Sequence, residues 1–310
     1  MPDASNIGLP LGVILLWLLL AATAIGVLVI YWRTPVAELY HVTASGPREG
    51  MRRMLSFAGY PAALVAASIA LLVADRMHAR TVILAAVGTV VLGASALWAG
   101  TTDEADVDAR PVSIAALAGL AISISLSGLL ARRLGVVSLR HESGDRRRLV
   151  AGLLVLVLAL PWIAALLGLS LDRVPLLGSI YLTDVKVTQP GNPKPFPAVH
   201  DGHHHGLDGA ILVWAALILS RELRRFRWPQ LRAGMCALLA FFLAYGSWNV
   251  AQDFWLEQVV KRGTVSVEIP YAIAPAPTAA WALIAIGSVA AFAGLRRTAS
   301  AISRSADTRS

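Results

Sequence analysis

Four of the chain's seven histidines stand within six residues, in the run His200-Asp201-Gly202-His203-His204-His205-Gly206-Leu207-Asp208. Neutral imidazole is a common ligand for zinc and copper, and a nearby carboxylate is a good further ligand. Imidazole also titrates near neutral pH, so the same groups can carry protons. Asp201 is a residue type that caps helices, which would place His203, His204 and His205 in a first helical turn. His204 and Asp208 are then four residues apart and share a face, and His205 and Asp208 are three apart. The partial positive charge of a helix N-terminus disfavours imidazolium and keeps the rings ready for metal. The expected chemistry is a zinc or copper site, or a proton site, held by His200, His203, His204, His205 and Asp208. Gly202, Gly206 and Gly209 leave room for another backbone or a substrate to approach.

Two further groups could complete such a site. His41 follows Glu38 by three residues in the first loop and is a candidate ligand, against the plainer reading of an interfacial segment anchored by Trp32 and Tyr40. Tyr245, Asn249, Gln252 and Asp253 recur at helical spacing and line one side of a segment. Polar groups at membrane depth face the bundle interior. Asp253 is the residue of that stripe suited to act as ligand or general base. The acidic run Asp103, Glu104, Asp106, Asp108 would add negative charge on the same face. His78 and His141 sit among arginines and receive no role. Cys236 is the single cysteine, inside an apolar run, without a redox motif.

His200-Asp201-Gly202-His203-His204 resembles one histidine box, HxxHH, of the membrane di-iron desaturases and hydroxylases. That family needs several such boxes on the cytoplasmic side. Here the three other histidines are scattered, so the resemblance ends at five residues and no family is assigned.

The elements that must carry these residues are membrane helices. The chain has 310 residues, 56% hydrophobic and 15% charged, with a mean hydropathy of +0.64. Soluble domains carry about a quarter charged residues. Apolar runs near the ~20 residues needed to cross a bilayer occur at about 8–32, 54–74, 81–100, 112–131, 149–171, 203–222, 233–255 and 278–295. The expected fold is an all-α polytopic membrane protein: a bundle of about eight transmembrane helices forming one integral membrane domain over 1–310. The first run has no basic residue before it and reads as a retained span, not a cleaved leader.

The net charge of +8 could suggest nucleic acid, but the arginines cluster at the ends of apolar runs, where the positive-inside rule places them. With the amino terminus inside, 17 of the 27 basic residues fall inside and 10 outside. The expectation is a plasma-membrane protein with both termini cytoplasmic and the histidine run extracytoplasmic. The four arginines between Arg33 and Arg53 conflict with that frame, unless the second segment is not a simple span or the loop lies along the surface.

The outer loop 172–202 contains Pro190, Pro193, Pro195 and Pro197, which forbid a continuous helix. Tyr181–Thr188 and Thr264–Pro270 alternate apolar and polar residues in part. They are expected to pair as a small β hairpin capping the extracytoplasmic face. Pro161 is expected to kink its helix.

No P-loop, HExxH, GxSxG, CxxC or Rossmann fingerprint is present, so no nucleotide cofactor is expected. Three functions fit. The first is a metalloenzyme using zinc- or copper-activated water on a lipid-type substrate. The second is a cation or solute transporter, and the third a non-catalytic subunit or assembly factor bound to another membrane protein. The expected partners are the bilayer and such a protein, with no nucleic acid.

Overall fold

The computed structural model describes residues 9–39, 42, 44–75, 136–137, 144–189, 192–202, 204–272 and 276–307. The expected spans 81–100 and 112–131, the acidic run Asp103–Asp108, and His41, His78, His141 and His203 lie outside the described residues. The described part is mostly helical: α1 Leu11–Arg33, α2 Pro47–Arg53, α3 Gly59–Ala74, α4 Asp145–Leu166, α5 Leu177–Ile180, α6 His205–Leu219, α7 Pro229–Gln258 and α8 Ala279–Asp307. Four helices are long and apolar enough to cross a membrane: Leu11–Arg33, Asp145–Leu166, Pro229–Arg262 and Ala279–Arg297.

α1 shows why such sequences form one-sided walls. Its buried residues Val13, Leu16, Leu20, Thr23, Val27 and Ile30 recur every three to four positions, while Leu15, Leu18, Ile25 and Val29 are exposed. One stripe therefore packs inward and an equally apolar stripe faces outward, as a lipid-facing helix requires. Thr23 satisfies its hydroxyl within the helix by donating to the Leu19 carbonyl at 2.9 Å. α6 is different: it is buried on nearly every side and forms the centre of the core. α4 runs unbroken through Pro161 to Leu166.

The helices alternate in direction between two ends. At the first, which carries the histidine run, α1 arrives at Tyr31, whose ring lies against Gly202. α4 arrives there at Trp162 and α7 at Glu257 (2.5 Å apart, Nε1 to Oε2), and α6 departs. At the second end α1 begins, with Gly12 against Ile218. α4 also begins there, with Asp145 held by Arg221 Nε at 3.2 Å, and α3 ends at Asp75.

The arginine-rich first loop resolves into short helical structure on the histidine side. α2 passes through a π-helical turn, Met54–Ala58, into α3. Glu49 and Arg53 are both buried and paired at 2.5 Å, and the Arg53 guanidinium lies 5.8 Å from the Tyr31 ring centroid. Arg52 also reaches Glu49, at 3.5 Å. Two of the four troublesome arginines thus pair with a carboxylate of α2, which packs on α1 through Gly50 against Leu28 and Trp32. The loop need not act as a topological signal.

The β cap differs from expectation. Lys186–Gln189 (β3) pairs antiparallel with Asn192–Pro197 (β4), not with 264–270. Loop closure favours this local partner. The ladder is irregular: Val187 pairs with Phe196 and Gln189 with Asn192, so β4 bulges through Pro193 and Pro195, where residues that lack an N–H are tolerated. Segment 264–270 is held instead by two indoles of α7: Trp248 Nε1 donates to the Pro270 carbonyl at 3.0 Å and Trp255 Nε1 to that of Val267 at 2.6 Å. A second two-residue pairing, parallel, joins Leu9–Pro10 (β1) to Val136–Val137 (β2).

At the second end Asp75, buried, accepts the backbone N–H groups of Arg227 and Trp228 at 2.8 and 2.9 Å. Trp228 is the N-cap residue of α7 and offers no side-chain cap of its own, so α3 supplies it. Asp75→Ala should lower stability by about 1–3 kcal/mol, measured by thermal unfolding in detergent, with Asp75→Asn losing less.

Candidate functional site

The histidine run does not open its helix as expected. The N-cap of α6 is His204, in extended conformation, and the helix begins at His205; Asp201 lies three residues upstream. The reason is a carboxylate from another helix. Asp253 Oδ2 of α7 accepts the Gly206 N–H at 2.5 Å, which leaves no need for a local acidic cap. The close approach behind that bond depends on glycines. Gly206 sits on the face of the Trp162 ring, and Gly209 meets the Gly246 backbone, where a Cβ would lie 2.5 Å from the carbonyl oxygen.

α6 and α7 thereby bring a polar cluster into the interior. His204 is 2% exposed, Asp208 5%, Asp253 7% and Glu257 5%. His204 Nδ1 lies 3.8 Å from Glu257 Oε1. Trp162 Nε1 donates to the other oxygen of Glu257 at 2.5 Å. Asp253 interacts electrostatically with Asp208 on one side and with Glu257 on the other. Lys261, one turn past Glu257, faces both Glu257 and Asp253 and donates to the Ala198 carbonyl at 2.6 Å. Tyr245, Asn249 and Gln252 are buried on the same helix, so the expected polar stripe does face inward.

The outer lip is made by the loop before α6. The His200 and His204 rings stack, centroids 4.4 Å apart and tilted by 21°. The loop is strapped to α7: Gln258 Oε1 accepts the Leu182 N–H and Gln258 Nε2 donates to the Leu182 carbonyl, both at 2.8 Å. The Val199 N–H donates to the Thr183 carbonyl at 3.0 Å. Of the predicted site residues, His200, His204, Asp208 and Asp253 come together here, and His205 opens α6, partly buried. Among the described residues no group of three or more His, Cys, Asp or Glu is arranged to hold a metal ion.

Glu257, Lys261 and Trp162 were not among the predicted site residues. A signal existed for two of them. Asp253, Glu257 and Lys261 are spaced by four, which puts them on one face of a helix extending α7. Trp162 could not be found that way, because its contact spans 95 residues of chain.

The cap has its own acid chemistry. Burial pushes the Asp172 carboxyl up, but hydrogen bonds from the Thr183 hydroxyl, the Asp184 and Thr183 amides and the Ser170 hydroxyl outweigh it and hold the group below its usual range. Asp201 is pushed the other way, by burial first and then by the negative charges of Asp184 and Glu38. A carboxyl whose folded pKa is lowered stabilises the fold above the ordinary range and loses that contribution as pH falls through it. Hydrogen exchange at the Thr183 and Asp184 amides should therefore accelerate as pH drops below about 4, after correction for intrinsic exchange. Asp172→Asn should be fast at neutral pH already.

No family model matches the chain, and neither a curated protein nor a solved structure matches it.

Proposed function

We propose that this is a polytopic integral membrane protein of about eight spans whose α6–α7 cluster binds and exchanges protons at the extracytoplasmic edge of the bilayer. Both termini are cytoplasmic in this reading, which the bias of arginines toward that side supports. The carrying observation is the density of buried ionisable groups: Asp208, Asp253 and Glu257 act on one another in sequence, and Lys261 acts on Glu257 and Asp253. Carboxyl groups brought this close in the interior resist ionising together, so a proton shared among them supports the reading. Protons suit the geometry because His204 Nδ1 lies 3.8 Å from Glu257 Oε1, so that a small side-chain shift would bring the pair within the hydrogen-bond reach that proton transfer needs. The class of protein this favours is a proton-coupled transporter or permease.

Trp162 provides a built-in reporter, since its indole N–H is bound to Glu257. The tryptophan emission of wild-type protein in nanodiscs should titrate with pH, and the same transition should vanish in both Trp162→Phe and Glu257→Gln. A wild-type emission independent of pH, or a transition untouched by both variants, contradicts the proposal.

A second reading is favoured by the stacked His200 and His204 rings at the lip: the same cluster captures zinc or copper, and the protein is a metalloenzyme or an assembly factor for a membrane partner. In that reading the ligands are His200, His203, His204, His205 and Asp208, with His41 and Asp253 completing the shell. Elemental analysis of purified protein should then show stoichiometric metal that is lost in His203→Ala and His204→Ala. Equal, substoichiometric metal in all three proteins excludes it.

A further inference from the structure

At the end of the bundle away from the cluster, arginines gather from four elements, and among the described residues Asp145, Glu222 and Asp75 are engaged within the protein. Asp145 is held by Arg148 Nη1 at 3.1 Å and by Arg221 Nε at 3.2 Å. Arg148 Nε also donates to Ser220 Oγ at 3.0 Å, which pins the start of α4 to the 3-10 turn Ser220–Arg225. Glu222 is buried against Arg225 Nη1 at 3.2 Å. Asp75 is consumed by the backbone of Arg227 and Trp228. Arg232 of α7 and Arg296 of α8 both act on Cys236, so the last apolar turns of α8 stand beside the first turn of α7. The exposed residues at this end include Arg146, Arg147, Arg227, Arg296 and Arg297.

We propose that this face is a docking surface for anionic phospholipid headgroups. Charge complementarity alone would admit any acidic partner. The neighbouring surface decides for lipid. Within two turns of Arg146 and Arg147, α4 exposes Leu149, Val150, Leu153 and Leu154, an apolar strip that demands hydrocarbon directly below the charges. With the strip in hydrocarbon, the guanidinium groups stand at headgroup depth, where lipid phosphates are the nearest anions. Trp228 is 43% exposed among the arginines, where an amphipathic ring sits at headgroup level. Guanidinium groups suit this task because their planar fork matches two phosphate oxygens at once. The surface is separate from the proton site and does not depend on it.

The test uses full-length protein and two lipids. Protein purified from mixed phosphatidylglycerol and phosphatidylcholine micelles is examined by native mass spectrometry, and retained lipid is counted. Wild type should retain phosphatidylglycerol in preference, and the preference should fall as salt is raised before analysis. The combined Arg146→Gln, Arg147→Gln, Arg296→Gln and Arg297→Gln variant should lose at least about tenfold of that preference. The pair Arg173→Gln and Arg262→Gln, at the other end, should keep it. Circular dichroism shows whether the fourfold variant is folded. If it is not, the wild-type salt dependence decides. Equal retention of the two lipids by wild type would overturn the proposal and leave the face to an acidic protein. A preference unaffected by the fourfold variant, or by salt, would overturn it as well.

Discussion

Valine at Gly209 will lower the stability of the bundle by about 3 kcal/mol, read as a fall in thermal midpoint and in folded yield from detergent. The magnitude follows from what the new side chain meets. A Cβ at Gly209 would lie 2.5 Å from the Gly246 carbonyl oxygen, 3.0 Å from Asn249 Cβ and 3.1 Å from the Val250 nitrogen. Two of these neighbours are backbone and cannot rotate away. The contact is reciprocal, since a Cβ at Gly246 would lie 2.6 Å from the Gly209 carbonyl oxygen, so α6 and α7 can relieve the clash only by separating. Separation would break the bond from Gly206 N–H to Asp253 and open the polar cluster. Gly234 is the control: it lies in the same α7 with nothing within 4 Å of its missing Cβ. Gly234→Ala should be neutral or stabilise by up to about 1 kcal/mol.

The second large effect is the difference between two substitutions at Glu257. Glu257→Ala leaves the Trp162 indole N–H buried without its acceptor and removes the carboxylate that faces Lys261, and should cost about 3 kcal/mol. Glu257→Gln keeps the volume and a carbonyl oxygen for Trp162, and should lose less than half as much. Thermal unfolding of the two variants at one pH separates them. Equal losses would mean that the indole bond contributes nothing, and the geometry of the cluster would need revision.

Much of this architecture was legible in the sequence. The apolar runs at 8–32, 149–171, 233–255 and 278–295 became α1, α4, α7 and α8 with shifted ends, because twenty apolar residues in hydrocarbon leave the backbone no alternative to a helix. The inward stripe Tyr245–Asn249–Gln252–Asp253 was legible for the same reason, as helical spacing of polar groups. What escaped was decided between distant segments. Asp201 has the residue type of a cap, yet the cap of α6 comes from Asp253, 47 residues beyond Gly206. Thr264–Pro270 alternates like a strand, yet two tryptophans of α7 take its carbonyls. The proline-rich stretch reads as loop because its pairing with Lys186–Gln189 goes through a register shift that no local pattern announces. The histidines drew attention by their number, while Asp253 and Glu257, four residues apart on α7, are the groups that reach Gly206 and Trp162.

The central claim is that the cluster holds exchangeable protons on its carboxyl groups. Infrared difference spectroscopy of the protein in nanodiscs, recorded between mildly acidic and alkaline pH, reports protonated carboxyl groups directly through their carbonyl stretch. A carbonyl band that appears on acidification well above the ordinary carboxylate range, and that is lost or shifted in Asp208→Asn, Asp253→Asn or Glu257→Gln, is the predicted result. A difference spectrum with no carboxyl band in that range, or with one that all three variants leave unchanged, would contradict it.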